Sequence, residues 1–399
     1  MPALPPWLLI FPILGALVLF HELGHFATAK LFGIKVLEFG FGFPPKLFGI
    51  PFRGTIYSVN LIPLGGFVRM LGEEDPTDPQ SFARQAVGKR MIVLAAGSAM
   101  NMLLPVIIFT ILFALPHETL LGGSVIVTSV APSSPAQEAG LRSGDVILAV
   151  DGEAVTSPSE LIALAKNRGG EPIVLSLRKA SGVTGLASSP EFMTSQTVSV
   201  VPRTDPPRLK VVDQVTNPQT QVSVADASQY DSNLGVGDTM TQGAIGVMIG
   251  LTNAKFGMTT EPVWTAVISA VKTIWSVLSF TWSGIADGIS TGANPGIAGP
   301  VGIAQATGEI VEERGFSQVY QMAAILSISL GVLNMLPIPA LDGGRFMFVV
   351  IEWVRRGKRV SPKKEGLVHL VGFAVLIGLI LVITFFDIIK VASGESFLR

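Results

Sequence analysis

The chain has 399 residues, 49% hydrophobic and 14% charged, with a mean hydropathy of +0.55. Soluble domains carry about a quarter charged residues, so this composition belongs to a membrane protein with a soluble part. A net charge of −1 offers no basic field for nucleic acid, and the absence of cysteine removes disulfides and thiolate metal sites together.

A spanning helix needs about 20 apolar residues. The first such segment covers 1–33; its leading residues carry no Lys or Arg and its apolar run outlasts a signal-peptide core, so it reads as an uncleaved span. Inside it stands His21-Glu22-Leu23-Gly24-His25. On a helix, positions i and i+4 share a face, so both imidazoles reach one metal ion while Glu22 serves as general base on a water bound there. Ionisable groups inside a span cost roughly 2.5–3.5 kcal/mol each, which marks them as functional. With no cysteine, the expected ion is a zinc held by nitrogen and oxygen.

Residues 34–90 read as a region on the cytoplasmic side, with strand-like runs at 36–43 and 55–62 broken by Pro and Gly. A sheet of this kind is tolerated near lipid where it lines a cavity, and its free edge suits an extended substrate. The second span is 91–115. Beyond it, 123–202 has the signals of a compact α+β domain: alternation at 125–130, an Asp151-Gly152 turn, and a capping box Ser157-Pro158-Ser159-Glu160 opening a helix. The run from Ala131 to Gly152, with Ala-Gly-Leu-Arg-Ser-Gly-Asp-Val-Ile at its centre, resembles the core of a bacterial PDZ domain. That resemblance implies a peptide ligand bound by strand addition, the alternative being a β-rich spacer. Residues 203–261 are polar and aperiodic and read as a linker or flap.

In 262–289, Thr265, Ser269, Lys272, Ser276, Ser279 and Ser283 form one helical stripe, with Trp264, Trp275 and Trp282 beside it. This predicts a helix lying on the outer membrane surface; a fifth span packed through its Ser/Thr face is the alternative. The third span, 316–344, is broken by Pro337 and Pro339 just before Asp342; a basic loop, 345–366, and a fourth span, 367–389, follow. The basic residues of 34–90 and 345–366 place both on the cytoplasmic side, and the N-terminus, the middle segment and the C-terminus outside. A fifth span would turn the second basic loop outward.

A catalytic zinc usually has three protein ligands. The chain has only two further histidines, His117 at the outer end of the second span and His369 in the fourth. Asp342 remains as third ligand, with a helix-capping aspartate as the bland alternative. Depth agrees: His21 lies 14 residues past Trp7, about 21 Å along an inward-running helix, and the third span also runs inward to Asp342.

The intramembrane His-Glu-x-x-His, the outward PDZ-like segment and Asn334-Met-Leu-Pro-Ile-Pro-Ala-Leu-Asp-Gly343 together resemble the site-2 protease family of intramembrane zinc metalloproteases, in its bacterial RseP-type form. Gly40-Phe-Gly42, Gly65-Gly-Phe67 and Ile297-Ala-Gly-Pro-Val-Gly302 extend the likeness over most of the chain. The resemblance implies that His21, His25 and Asp342 hold zinc, that Glu22 activates water, and that Asn334 helps hold the substrate or the oxyanion. It also implies a place in the bacterial inner membrane, embedded in lipid. The substrates would be transmembrane proteins cut in regulated intramembrane proteolysis, such as anti-sigma factors or signal-peptide remnants. The expected architecture is a polytopic α-helical membrane protein of four spans, with a membrane-associated β-loop and one inserted extracytoplasmic α+β PDZ-like domain. Two other classes compete: an inactive PDZ-containing scaffold, against which the intact Glu22 speaks, and a metal transporter, whose ligands should repeat along a path.

Overall fold

The computed structural model describes all residues except 1–4, 74, 180–194, 218–219, 232–233, 292–297, 315–316, 395 and 397–399. A 3₁₀ turn at Pro6–Leu9 leads into α1, Ile10–Leu31, which buries His21, Gly24 and His25. Two long strands follow, β1 (Val36–Phe52) and β2 (Thr55–Met70), joined through Arg53 and Gly54 at positive φ of 47° and 79°. A two-residue turn of that hand matches the twist of the strands it joins.

Both strands bend back on themselves. Phe39 pairs with Tyr57 on one side and Val68 on the other, while Ile50 also pairs with Tyr57. The pair therefore makes four ribbons in the order 46–52, 55–60, 38–41 and 66–70, with 66–70 at an edge. These strands run well beyond the 36–43 and 55–62 expected, because Pro and Gly inside them produce bends and register shifts rather than ends. The 28-residue helix α2, Val87–Ala114, comes next.

The chain then leaves this first compact unit (Met1–Leu115, Thr260–Ile285 and Asn294–Arg399) for a second one built mainly from Pro116–Thr259. In chain order it holds β3 (His117–Val130), α3 (Pro135–Glu138), β4 (Val146–Val150), β5 (Glu153–Ala154), α4 (Pro158–Asn167), β6 (Ile173–Arg178) and β7 (Ser195–Val200). There follow β8 (Arg208–Val212), β9 (Gln221–Ser223), α5 (Val224–Tyr230), β10 (Thr239–Thr241) and β11 (Val247–Thr259). The Ser157–Glu160 capping box forms reciprocally at the start of α4.

The main sheet has the order β11-β3-β4-β6-β7, with β5 on β4, over a core of Val125, Ile147, Leu161, Ile173 and Leu175. Its edge strand β11 comes from beyond the 123–202 boundary. The stretch read as a linker or flap is thus folded: β10, β8 and β9 form a second sheet that buries Leu209, Val211, Val222, Tyr230 and Met240. Strands of three to five residues give one or two buried apolar positions each, too few to register as a period.

Next in the chain come α6 (Val263–Thr291), which belongs to the first unit as far as Ile285, and then α7 (Pro300–Arg314), α8 (Ser317–Met335), α9 (Asp342–Val354) and α10 (Pro362–Ala392). Among the described residues, five helical segments are long and apolar enough to cross a membrane: Pro6–Leu31, Val87–Ala114, Val263–Ala286, Gln318–Met335 and Pro362–Ala392. The third of these lies in α6, which buries Ala266, Ala270 and Ile274 at steps of four, the last two beside Phe109, Ala324 and Ile328. Within its Ser and Thr stripe, Ser276, Ser279 and Ser283 bond back to carbonyls of their own helix, and Ser269 donates to the Glu261 carboxylate just before it. Outside the stripe, Thr273 and Thr281 do the same, and Trp264, Trp275 and Trp282 stay exposed.

Three helical features differ from expectation. Helix α7 was not anticipated, because Gly302, Gly308 and its run of charged residues hide any apolar stripe. Half of the expected basic loop 345–366 is α9, which buries Gly343, Gly344, Val349 and Glu352. Helix α10 starts five residues before the expected 367, with Pro362 in its first turn.

Candidate active site

Helix α1 crosses α2 at glycine. A Cβ on Gly24 would lie 2.3 Å from the Ala96 carbonyl oxygen, and one on Gly97 would lie 2.3 Å from His25 Nε2 and 2.6 Å from His21 Cε1. The two helices therefore touch backbone to backbone, and Gly97 leaves the space in which both imidazoles sit. His21 and His25 are 6% and 5% exposed. His25 Nδ1 lies 2.7 Å from the Val93 carbonyl, and His21 Nδ1 lies 3.2 Å from the Asn101 side-chain amide.

Asp342 arrives from α9. Leu336 to Leu341 fold back over the first turn of that helix: a Cβ on Gly343 would lie 2.0 Å from the Leu336 oxygen, and one on Gly344 2.5 Å from the Ile338 oxygen. Pro337 and Pro339 end α8, and the two glycines let the reversal close on itself. Within it Ala340 takes a φ of 80°, and its N–H donates to His369 Nδ1 at 2.8 Å. The Asp342 Oδ2 then lies 2.8 Å from His21 Nε2 and 2.9 Å from His25 Nε2, with the two Nε2 atoms 3.1 Å apart.

These three side chains are, among the described residues, a group of metal-ligating type with donor atoms within 4.8 Å of one another. Ligands of a tetrahedral zinc at 2.0–2.1 Å are about 3.3 Å apart. The observed triangle of 2.8, 2.9 and 3.1 Å needs to open by only a few tenths of an ångström. Two nitrogens and one carboxylate oxygen, converging above the cradle left by Gly97, fit the ion.

Glu22, half-buried beside them, lies against the sheet: a Cβ on Gly66 would lie 3.6 Å from its Cγ. The edge ribbon 66–70 therefore passes alongside the site. Asn334 is half-buried on the last turn of α8, eight residues before Asp342, and is not one of the converging donors. His117 and His369 are not among them either. The sequence reading missed Val93, Gly97 and Asn101, and weighed His369 only as a ligand, not as the acceptor for the Ala340 N–H. Asn101 carried a signal, since a carboxamide inside an apolar span needs a reason, whereas a backbone carbonyl such as that of Val93 carries none.

A helix-borne His-Glu-x-x-His joined by a distant carboxylate, among helices of membrane length, is the arrangement of a membrane metalloprotease. The chain belongs to peptidase family M50, the site-2 protease family, whose sequence profile matches residues 9–379. It is similar to the zinc metalloprotease RasP of Geobacillus kaustophilus, at 28% identity covering 95% of this chain and 96% of the relative. RasP of Oceanobacillus iheyensis is 27% identical, covering 94% and 96%. A Clostridium perfringens protein, named a zinc metalloprotease provisionally, is 34% identical over 96% of this chain and 98% of its own length.

Proposed function

We propose that this protease is a zinc endopeptidase that cuts transmembrane proteins within or beside their membrane segments, with His21, His25 and Asp342 as ligands and Glu22 as general base. The convergence of the two Nε2 atoms on Asp342 Oδ2 carries the reading. Zinc held there would supply Lewis acidity, which lowers the pKa of a water toward neutrality. Glu22 takes the proton from the attacking water and returns it to the leaving amine. The edge ribbon 66–70 pairs with another ribbon on one side, and its other side suits an unwound substrate strand, which an intact transmembrane helix could not supply. Asn334 is assigned to the substrate or oxyanion side.

The second unit is read as a PDZ-like peptide-binding or size-filtering domain on the extracytoplasmic face of a bacterial inner membrane. Supporting this, a cavity of about 350 Å³ lies between α4 and the start of the edge strand β11, lined by Leu161, Ala165, Ala244, Ile245, Val247 and Ile249. An edge strand beside an apolar helix face suits strand addition. Anti-sigma factors or signal-peptide remnants are the substrate classes put forward.

The test replaces Glu22 with Gln, in co-expression with single-span membrane proteins. Cleavage should vanish while zinc stays bound, because Glu22 is not a ligand. Substantial turnover by the variant would remove Glu22 from the mechanism, and no cleavage by the wild type would favour the scaffold.

A further inference from the structure

The two histidines differ in what holds their outer nitrogen. His25 Nδ1 faces the Val93 carbonyl at 2.7 Å, a group that only accepts, so Nδ1 carries the proton and Nε2 presents its lone pair to the centre. His21 Nδ1 faces a side-chain amide that can either donate or accept. In the recorded orientation the Asn101 nitrogen is 3.2 Å from Nδ1, while the buried Asn101 Oδ1 has no hydrogen-bond partner. Asn101 itself is fully buried. An amide nitrogen donating to Nδ1 would force the proton of a neutral ring onto Nε2, where it would block ligation. The oxygen and nitrogen of the amide have nearly the same shape, and chemistry decides between them.

We propose that Asn101 is a positioning residue that turns its carbonyl oxygen to the His21 Nδ1–H, fixing the tautomer and ring plane in which His21 Nε2 ligates the metal. The turn gives the orphaned oxygen a donor. It also brings His21 into line with His25, each ring tied to a carbonyl oxygen of α2, from residues about two helical turns apart. Metal-bound imidazoles generally donate their other N–H to a carbonyl or carboxylate in this way. Asn101 is well anchored for the role. Its backbone oxygen accepts from Ser327 Oγ at 2.8 Å, and Gly331 packs where a Cβ would lie 3.3 Å from the Asn101 Cβ. Helix α2 thus holds the carboxamide between α1 and α8. Asn101 is fully buried and meets His21 Nδ1, so its effect passes through His21.

This inference rests on the metal reading above, and the experiment separates the two. Purified full-length protein in detergent is loaded with zinc, and the rate of zinc loss to excess chelator is measured; the visible spectrum of the cobalt(II)-substituted protein is recorded alongside. Asn101→Leu should lose zinc roughly 10–100-fold faster than wild type and shift the cobalt bands. Asn101→Asp, whose carboxylate can accept but not donate, should hold zinc at least as long as wild type. The aspartate variant decides even if the leucine variant does not fold: were Asn101 a donor to Nδ1, a carboxylate there would repel the lone pair and speed zinc loss. Faster loss from Asn101→Asp, or unchanged loss from a folded Asn101→Leu, overturns the role of Asn101 alone. A wild type that takes up neither metal overturns the metal reading and this inference with it.

Discussion

At the scale of single residues, the centre depends as much on what is missing as on what is present. Gly97 has no side chain, and the space of its absent Cβ is filled by two imidazoles. Gly97→Ala should therefore displace His21 and His25 by an ångström or so; misplacement of that size costs on the order of 100-fold in rate. Zinc content and cleavage should fall together, and a Gly97→Ala protein with full activity would mean that α1 and α2 do not cross as described. Asp342→Ala removes the one carboxylate that meets both Nε2 atoms. It should lower zinc occupancy as well as cleavage, in contrast to Glu22→Gln, which should affect cleavage alone. Full, tightly held zinc in purified Asp342→Ala would take Asp342 out of the ligand set.

At the scale of elements, a buried ion cluster ties the start of α2 to α9. Arg90 NH2 lies 2.6 Å from Glu352 Oε1, Arg359 Nε lies 3.2 Å from the same oxygen, and Arg359 also donates to the Ala83 carbonyl. Burial pushes the Glu352 carboxyl up, but Arg90 and Arg359 together outweigh it and hold it below its ordinary 4.5. A carboxyl lowered on folding contributes its stability in full above pH 4.5 and loses it as the pH falls below that value. Glu352→Gln, which leaves Arg90 unpaired, should cost about 3 kcal/mol at pH 7. Its melting temperature should approach that of wild type as the pH drops through 4.5 and below; a gap that does not narrow would show that the glutamate is not the ionised partner. None of this was legible beforehand, since Arg90 and Glu352 are 262 residues apart. What the sequence did disclose were features written locally: the i, i+4 histidines, the prolines that end α8, the capping box of α4. Short strands such as β9 and the weakly amphipathic α7 escaped because their stability comes from partners distant in the chain. The site divided in the same way. Its ligating types were visible as motifs, while Gly97 and Val93 act through space or backbone and look ordinary in a list of residues.

At the scale of the whole chain, the site constrains how often the chain can cross the membrane. Helices α1 and α2 are antiparallel, as the pairings of His25 with Val93 and of His21 with Asn101 require. If α1 runs inward and α2 outward, α8 must run inward again, because Asp342, just past its end, lies 2.8 Å from His21. Between α2 and α8 the chain must therefore cross an even number of times. Helix α6 is long and apolar enough to cross, but α7, with 15 residues that include Glu309, Glu312 and Arg314, is not among the candidate spans. With Asp342 as the third ligand, a single crossing by α6 would send it to the wrong side, so a surface position is expected for α6, whose three tryptophans are exposed. The chain has no cysteine of its own, which allows a clean test with single cysteines at the exposed positions Glu153, Ser361 and Ser393. In intact cells a membrane-impermeant thiol reagent should label Glu153→Cys and Ser393→Cys, and should reach Ser361→Cys only after the membrane is opened. If α6 crosses alone, Ser361→Cys becomes labelled and Ser393→Cys protected, while Glu153→Cys is unchanged. Helix α8 would then run outward, away from the depth of His21 and His25, and the three-ligand centre would be lost with it.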